Sequence, residues 1–194
     1  VPSRDLGVGD VVARRTESSQ TFDNGNGMFT TQFFSQPVFY KPEGAADFQK
    51  IEVGFAPTTT IDKLVDAVPV AKSEHAPTAV SLFDSSRADF VTVTHDSYSI
   101  GFGLPAADKG LVAAPVTDGI AADYRNMWPG VDLRVLARPM GSKAFVVLHE
   151  VPNDASWTFR VDSPGLTLVP QDDGTIDISD ANGKSIAYIP RPYA

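Results

Sequence analysis

A chain of 194 residues with a formal net charge of -8 and no cluster of Lys or Arg has no electrostatic footprint for a phosphate backbone or an anionic lipid surface. Nucleic acid and membrane insertion are therefore not expected. The absence of cysteine excludes a disulfide framework, a thiolate metal site and a cysteine nucleophile.

With 42% apolar and 21% charged residues the chain is expected to fold. Its length fits a single β-sandwich-like domain over 1–194, or two packed subdomains over 1–78 and 79–190. The 15 prolines and 15 glycines lie between short apolar runs, where they act as turn punctuation. Val1 to Asp10 holds no apolar signal core, and the chain is read as part of a longer polypeptide.

Asp10 to Thr16 is expected to form a short strand. Thr21-Phe22 leads into Asp23-Asn24-Gly25-Asn26-Gly27, residues that tolerate the positive φ of tight turns, and Met28 to Ser35 leaves that turn as the second arm of a hairpin. Pro37 to Tyr40 and Phe48 to Phe55 form a second predicted hairpin. From Ala56 to Thr78 the pattern dissolves. Ile61, Leu64, Val65 and Val68 stand at helical spacing, which fits one or two helical turns ended before Pro69, or equally a meandering crossover.

Val80 to Phe83, Phe90 to Thr94 and Ser97 to Leu104 are predicted strands. In the last, Tyr98, Ile100, Phe102 and Leu104 alternate with Ser97, Ser99, Gly101 and Gly103. Glycines opposite an apolar face point to a strand crowded by a neighbouring layer, or to a bulge. Leu111 to Val116 and Ile120 to Tyr124 lead to the central hairpin. There Val131, Leu133, Val135 and Ala137 alternate with Asp132, Arg134, Leu136 and Arg138, the period of a strand buried on one face. After the reversal at Arg-Pro-Met-Gly, Ala144 to Leu148 is apolar throughout, as in a strand covered on both faces.

Trp157, Phe159 and Val161 alternate with Thr158, Arg160 and Asp162. Leu166 to Val169, Thr175 to Ser179 and Lys184 to Ile189 follow as three strands joined by Asp172-Asp173-Gly174 and Asp180-Ala181-Asn182-Gly183. Pro190 to Tyr193 reads as the start of a linker. Roughly twelve to fourteen short strands without a firm helix predict an all-β fold, an antiparallel β-sandwich.

The residues offer little chemistry. His75, His95 and His149 are not at metal-ligand spacing, and His95-Asp96 and His149-Glu150 are neighbours whose side chains diverge in a strand. No Gly-x-Ser-x-Gly elbow occurs, and neither Gly7-Val8-Gly9-Asp10 nor Gly101-Phe102-Gly103 opens a helix as a phosphate loop must. The Asp-rich loops at 23–27 and 172–180 are read as hairpin turns ahead of calcium sites, since no EF-hand order is present. Lys143 and Lys184 stand in strand-like contexts where an isopeptide crosslink is conceivable, without a rule that picks a partner. Trp157 is assigned to the core and Trp128 to an anchor before the central hairpin, with a carbohydrate platform as the alternative. No cofactor, metal or catalytic residue is assigned.

The order of several motifs is more informative. Arg15-Thr16-Glu17-Ser18-Ser19, Thr21-Phe22-Asp23-Asn24, Pro37-Val38-Phe39-Tyr40 and Phe48-Gln49-Lys50-Ile51-Glu52 are followed by Trp128-Pro129-Gly130-Val131-Asp132-Leu133-Arg134. Gly141-Ser142-Lys143, Asp173-Gly174-Thr175-Ile176 and Asp180 to Lys184 then complete the series. From Arg15 to Pro192 the chain resembles the N-terminal β-rich region of large secreted actinobacterial proteins that carry DNRLRE modules and RHS (YD) repeats. Phe48 stands where that family commonly has Trp, and Ala144 where an acidic residue is usual.

The resemblance implies an exported, cell-wall-associated or toxin-delivery polypeptide, in which this region is a non-enzymatic structural or interaction module. Trp128, Asp132, Arg134 and Lys143 are then family-marker and interaction residues, with Asp132 and Arg134 expected as an exposed or cross-strand charge pair beside a buried Trp128. The expected partners are the rest of the parent polypeptide, a cell-surface partner or a glycan. A carbohydrate-binding sandwich and a hydrolase without a recognisable motif are the alternatives.

Overall fold

Successive residues of a strand face opposite ways, so each alternating run buries one face only if a second layer covers it. A computed structural model describes residues 9–73, 75–105, 113–151 and 156–193. It is all-β, built of antiparallel sheets. Strands β1 (Gly9–Asp10), β2 (Ser19–Asp23) and β3 (Phe29–Phe33) form one sheet, and β4 (Phe39–Tyr40) and β5 (Gln49–Lys50) a short ribbon. Next come β6 (Ala56–Pro57), β7 (Ala71–Ser73), β8 (Ala79–Leu82), β9 (Val91–His95) and β10 (Tyr98–Gly103). Then β11 (Val116–Asp118), β12 (Ala121–Trp128), β13 (Val131–Arg138) and β14 (Gly141–Leu148) make a four-stranded meander.

Strand β15 (Arg160–Asp162) returns to the earlier group, giving a six-stranded sheet in the order β15-β10-β9-β8-β7-β6. Pairing of β7 with β8 carries this sheet across position 78. Strands β16 (Thr167–Pro170), β17 (Ile176–Ser179) and β18 (Ser185–Ile189) close the chain as a three-stranded meander.

The six-stranded and four-stranded sheets pack face to face. Val80, Leu82 and Val91 from the first, with Phe90 just before β9, meet Ala122, Tyr124, Met127, Leu133, Val135 and Ala137 from the second in one buried cluster. The alternation predicted for Val131 to Arg138 is therefore present, with the four apolar members buried. Tyr124 carries the one polar atom of its side chain into this interface. Its hydroxyl lies 2.9 Å from the carbonyl oxygens of both Phe83 and Phe90.

The hairpins at 19–33 and 176–189 form where turn chemistry placed them, and the second predicted hairpin is reduced to the pairing of Phe39–Tyr40 with Gln49–Lys50. The carboxylates of the Asp-rich loops serve those turns. Asp23 accepts from the Gly25 amide, Asp173 from the Thr175 amide and hydroxyl, and Asp180 from the amides of Asn182 and Lys184.

Three expectations change. Ala144 to Leu148 is not covered on both faces, because β14 is the outer strand of its sheet; Phe145 and Leu148 are 36% and 47% exposed. Asp10 to Thr16 is strand only at Gly9–Asp10, and a single 3-10 turn, Val12–Arg14, follows. Trp157 is half-buried at the margin, outside the core. Of the two readings of Ile61 to Val68, the structure takes the crossover. Asp62 turns the chain there: its carboxylate accepts from the Leu64 amide, its backbone pairs with Ala67, and Asp66 takes φ 49°. Leu111 and Val112, and most of Val1 to Asp10, lie outside the described residues.

The glycine face of β10 is crowded as expected. The 84–89 loop lies across it, so that a Cβ on Gly101 would sit 2.6 Å from Asp89 Cγ and one on Gly103 would sit 1.7 Å from the Ala88 carbonyl oxygen.

Candidate functional site

Of the residues marked by the sequence, Trp128 and Asp132 lie at the turn end of the β12–β13 hairpin, Arg134 lies two residues further along β13, and Lys143 stands opposite Leu136 on β14. Tyr124 pairs with Leu133 and Trp128 with Val131, so β12 holds two more residues than β13 between those pairs. A bulge of this kind re-aims the side chains beyond it. Asn126 takes the strained part, at φ 50°, and its amide donates to Asp132 Oδ1 at 2.7 Å.

Beyond the bulge Trp128 is partly buried against the core, short of the full burial expected. It meets the Phe159 ring edge-on at a centroid distance of 5.9 Å and the Trp157 ring at 6.4 Å. Aromatic contacts at these separations add stability beyond the area they bury. Both tryptophans thus belong to one cluster, which joins the 156–160 segment to the hairpin.

Asp132 and Arg134 do not pair with each other. They share a strand face two residues apart, and each finds a partner on a neighbouring strand or just beyond one. Arg134 makes a two-pronged pair with Asp123, its registered partner on β12, through Nε at 2.7 Å and Nη2 at 2.9 Å. That pair holds the Asp123 carboxyl below the usual carboxylate range and raises the Arg134 guanidinium. Asp132 Oδ2 lies 2.8 Å from Nε2 of His149, whose ring is about half exposed. The Asn126 amide first, and then His149, hold the Asp132 carboxyl low despite partial desolvation.

Lys143, on the edge strand, donates to the Tyr193 hydroxyl and faces the rings of Phe145 and Tyr193 at 4.6 Å each. The remaining histidines lie elsewhere. His95 Nδ1 is 2.9 Å from the Pro77 carbonyl, and the backbone of His75 bridges to Glu52.

The contact that the sequence conceals is Asp132 with His149. It depends on β13 pairing with β14 so that Asp132 stands opposite Val147, two residues before His149. A carboxylate that orients an imidazole can bias which ring nitrogen carries the proton. Here the carboxylate also caps a bulge amide, so its measurable role is to fix the hairpin end.

Asp132→Ala is expected to cost about 1 kcal/mol at neutral pH through the unmade amide bond. A carboxyl whose folded value is depressed stabilises above its unfolded value and loses that contribution as pH falls through the folded one. Thermal denaturation should therefore show the gap between wild type and Asp132→Ala closing below about pH 4. Arg134→Ala breaks a solvent-exposed pair, and its smaller effect should shrink further with added salt.

No protein-family profile matches the chain, and no solved structure matches it. Among curated proteins it is similar to a wall-associated protein of Geobacillus stearothermophilus, 24% identical over 201 residues, covering 99% of this chain and 76% of that protein. It is also similar to the tRNA3(Ser)-specific nuclease WapA of Bacillus spizizenii, 24% identical over 206 residues, and to the tRNA nuclease WapA of Bacillus subtilis, 23% identical over 198 residues. These alignments cover 99% and 95% of this chain and 8% of each nuclease.

The names correct one expectation. The chain was expected to be non-enzymatic, whereas relatives matched along nearly all of it are named as tRNA nucleases. The association with a cell wall expected from the motif order agrees with the name of the Geobacillus protein.

Proposed function

We propose that this chain is the β-rich segment of a large exported, wall-associated polypeptide of RHS type that acts as a tRNA nuclease. The observation that carries the reading is one alignment seen twice. Almost the whole chain matches most of a protein named as wall-associated, and the same stretch recurs as 8% of proteins named as tRNA nucleases. A segment found in both settings supports a shared role at the wall, joined to nuclease activity in the longer polypeptides.

The sandwich supplies a rigid body for such a role, and the outer strand β14 with its Phe145 and Leu148 offers contacts to the rest of the polypeptide or to a surface partner. Two measurements test the reading. The 194-residue chain should co-sediment with purified Gram-positive cell walls, and the whole polypeptide should cleave tRNA in vitro. A chain that stays in the supernatant with walls present overturns the wall role, and intact tRNA overturns the nuclease assignment. YD repeats elsewhere in the same polypeptide would support the RHS membership, and their absence would remove it.

A further inference from the structure

The outer face of the six-stranded sheet carries a row of small and polar side chains. Register places Lys72, Ser81, Thr92, Gly101 and Asp162 side by side on β7, β8, β9, β10 and β15. The first half of the row is satisfied internally. Ser81 Oγ donates to Asp62 Oδ2 at 2.7 Å, and Lys72 Nζ lies 3.4 Å from the same oxygen.

At Thr92 the pattern breaks. This residue is 1% exposed, and its hydroxyl has no hydrogen-bond partner among the described residues. A buried hydroxyl without a partner costs free energy, so native structures rarely leave one unless something else supplies the bond. Thr92 lines a cleft of about 200 Å³. Ser99, Asp89 and Asp162 contribute further polar groups, while Leu64, Val65 and Pro164 contribute carbon surface. Gly101 stands beside Thr92, and the space a side chain there would take is filled by Asp89, which brings its carboxylate to the cleft.

The charges decide the class of ligand. Two carboxylates, Asp89 and Asp162, are matched by Arg87 in the lining and by Arg160, which is ion-paired with Asp89. Such a balance favours neither a free cation nor an anion. Carboxylates accept hydrogen bonds from hydroxyl groups, a threonine hydroxyl both donates and accepts, and an aliphatic wall covers C–H surface. The volume holds roughly six or seven waters, the scale of a single sugar ring.

We infer that this cleft binds one ring of a neutral, polyhydroxylated ligand, a unit of a glycan, with Thr92 as the buried hydrogen-bond partner. The assignment stands on the cleft alone and survives if the chain fails to bind walls.

Titration calorimetry of the 194-residue chain with glucose, galactose and N-acetylglucosamine tests it. At least one sugar should bind saturably. Thr92→Val should weaken that binding about fivefold to tenfold, the loss of one hydrogen bond, while leaving the melting temperature unchanged or higher. Ser99→Ala, on the more open side of the cleft, should weaken it as well and guards against misfolding of the first variant. No saturable binding of any of the three sugars overturns the assignment. So does wild-type affinity in both variants, or binding that is lost with Trp128→Ala instead, which would put the sugar on the aromatic cluster.

Discussion

Gly103→Ala is expected to lower the stability of this chain by about 3 kcal/mol or more, the range of substitutions that force a packed backbone apart. The added methyl carbon would sit 1.7 Å from the Ala88 carbonyl oxygen and 2.9 Å from its carbon. Both are main-chain atoms, so no side-chain rotation relieves the overlap and the 84–89 loop must lift from β10. For a domain of this length the melting temperature should fall by about 10 °C.

Two further glycines calibrate the result. Gly101→Ala meets Asp89 Cγ at 2.6 Å and Cβ at 2.9 Å; rotation of Asp89 moves only the first, at the expense of its pair with Arg160, and since no main-chain atom is overlapped the loss should be smaller than at Gly103. Gly9→Ala has no atom of the described residues within 4 Å of the new carbon and should change little. Thermal denaturation followed by circular dichroism should rank the three in that order. An unchanged Gly103→Ala would show that the loop does not rest on the sheet.

The glycine alternation shows how far the sequence carries. Ile100 and Phe102 against Gly101 and Gly103 announce a crowded outer face, because a missing side chain has few other uses beside an apolar run. That the crowding segment is Ala88-Asp89 depends on how the β8–β9 connection folds back, which no local pattern encodes. Hairpins at Asp23 to Gly27 and Asp180 to Gly183 are legible for the opposite reason, since turn residues act within a few positions. Ala144 to Leu148 misleads because an all-apolar run states what could be buried, whereas edge position is set by strand order.

At Ile61 to Val68 period alone leaves helix and crossover equally open. The helical spacing has no layer to pack on, as Ile61, Leu64 and Val68 remain exposed, while Asp62 is buried and turns the chain. At the hairpin end, Trp128, Asp132 and Arg134 were legible as a place, but their partners required register and a bulge. The cleft at Thr92 needed more still, because Asp162 reaches it only when β15 crosses back to pair with β10.

Tyr124→Phe removes one oxygen from the centre of the sandwich and should cost about 1–3 kcal/mol, the penalty for unmaking a buried hydrogen bond. The hydroxyl is the only side-chain donor spanning from β12 to the Phe83 and Phe90 carbonyls at the β8–β9 connection, among the hydrogen bonds of the described residues. The Phe90 carbonyl keeps the Phe83 amide as a donor at 2.8 Å, so the larger share of the loss should fall on the Phe83 carbonyl. Tyr124→Ala should cost more, about 3–5 kcal/mol, because it also empties the space of a fully buried ring that meets Phe90 edge-on at 5.1 Å.

The two losses separate by pH. Burial raises the Tyr124 phenol above its ordinary value. The unfolded chain therefore releases this proton first, and the folded state holds it over the interval above about pH 10. A state that binds more protons loses ground as pH rises, so wild-type stability should decline above that point by up to about 1.4 kcal/mol per pH unit from this group. Tyr124→Phe has no such proton, and its stability should fall less steeply. Chemical denaturation of both proteins at pH 7 and pH 11 should show the phenylalanine variant weaker at the first pH and the gap narrowed at the second. A constant gap would mean that the phenol ionises as readily in the folded protein as in the unfolded chain, which a hydroxyl enclosed between two sheets does not permit.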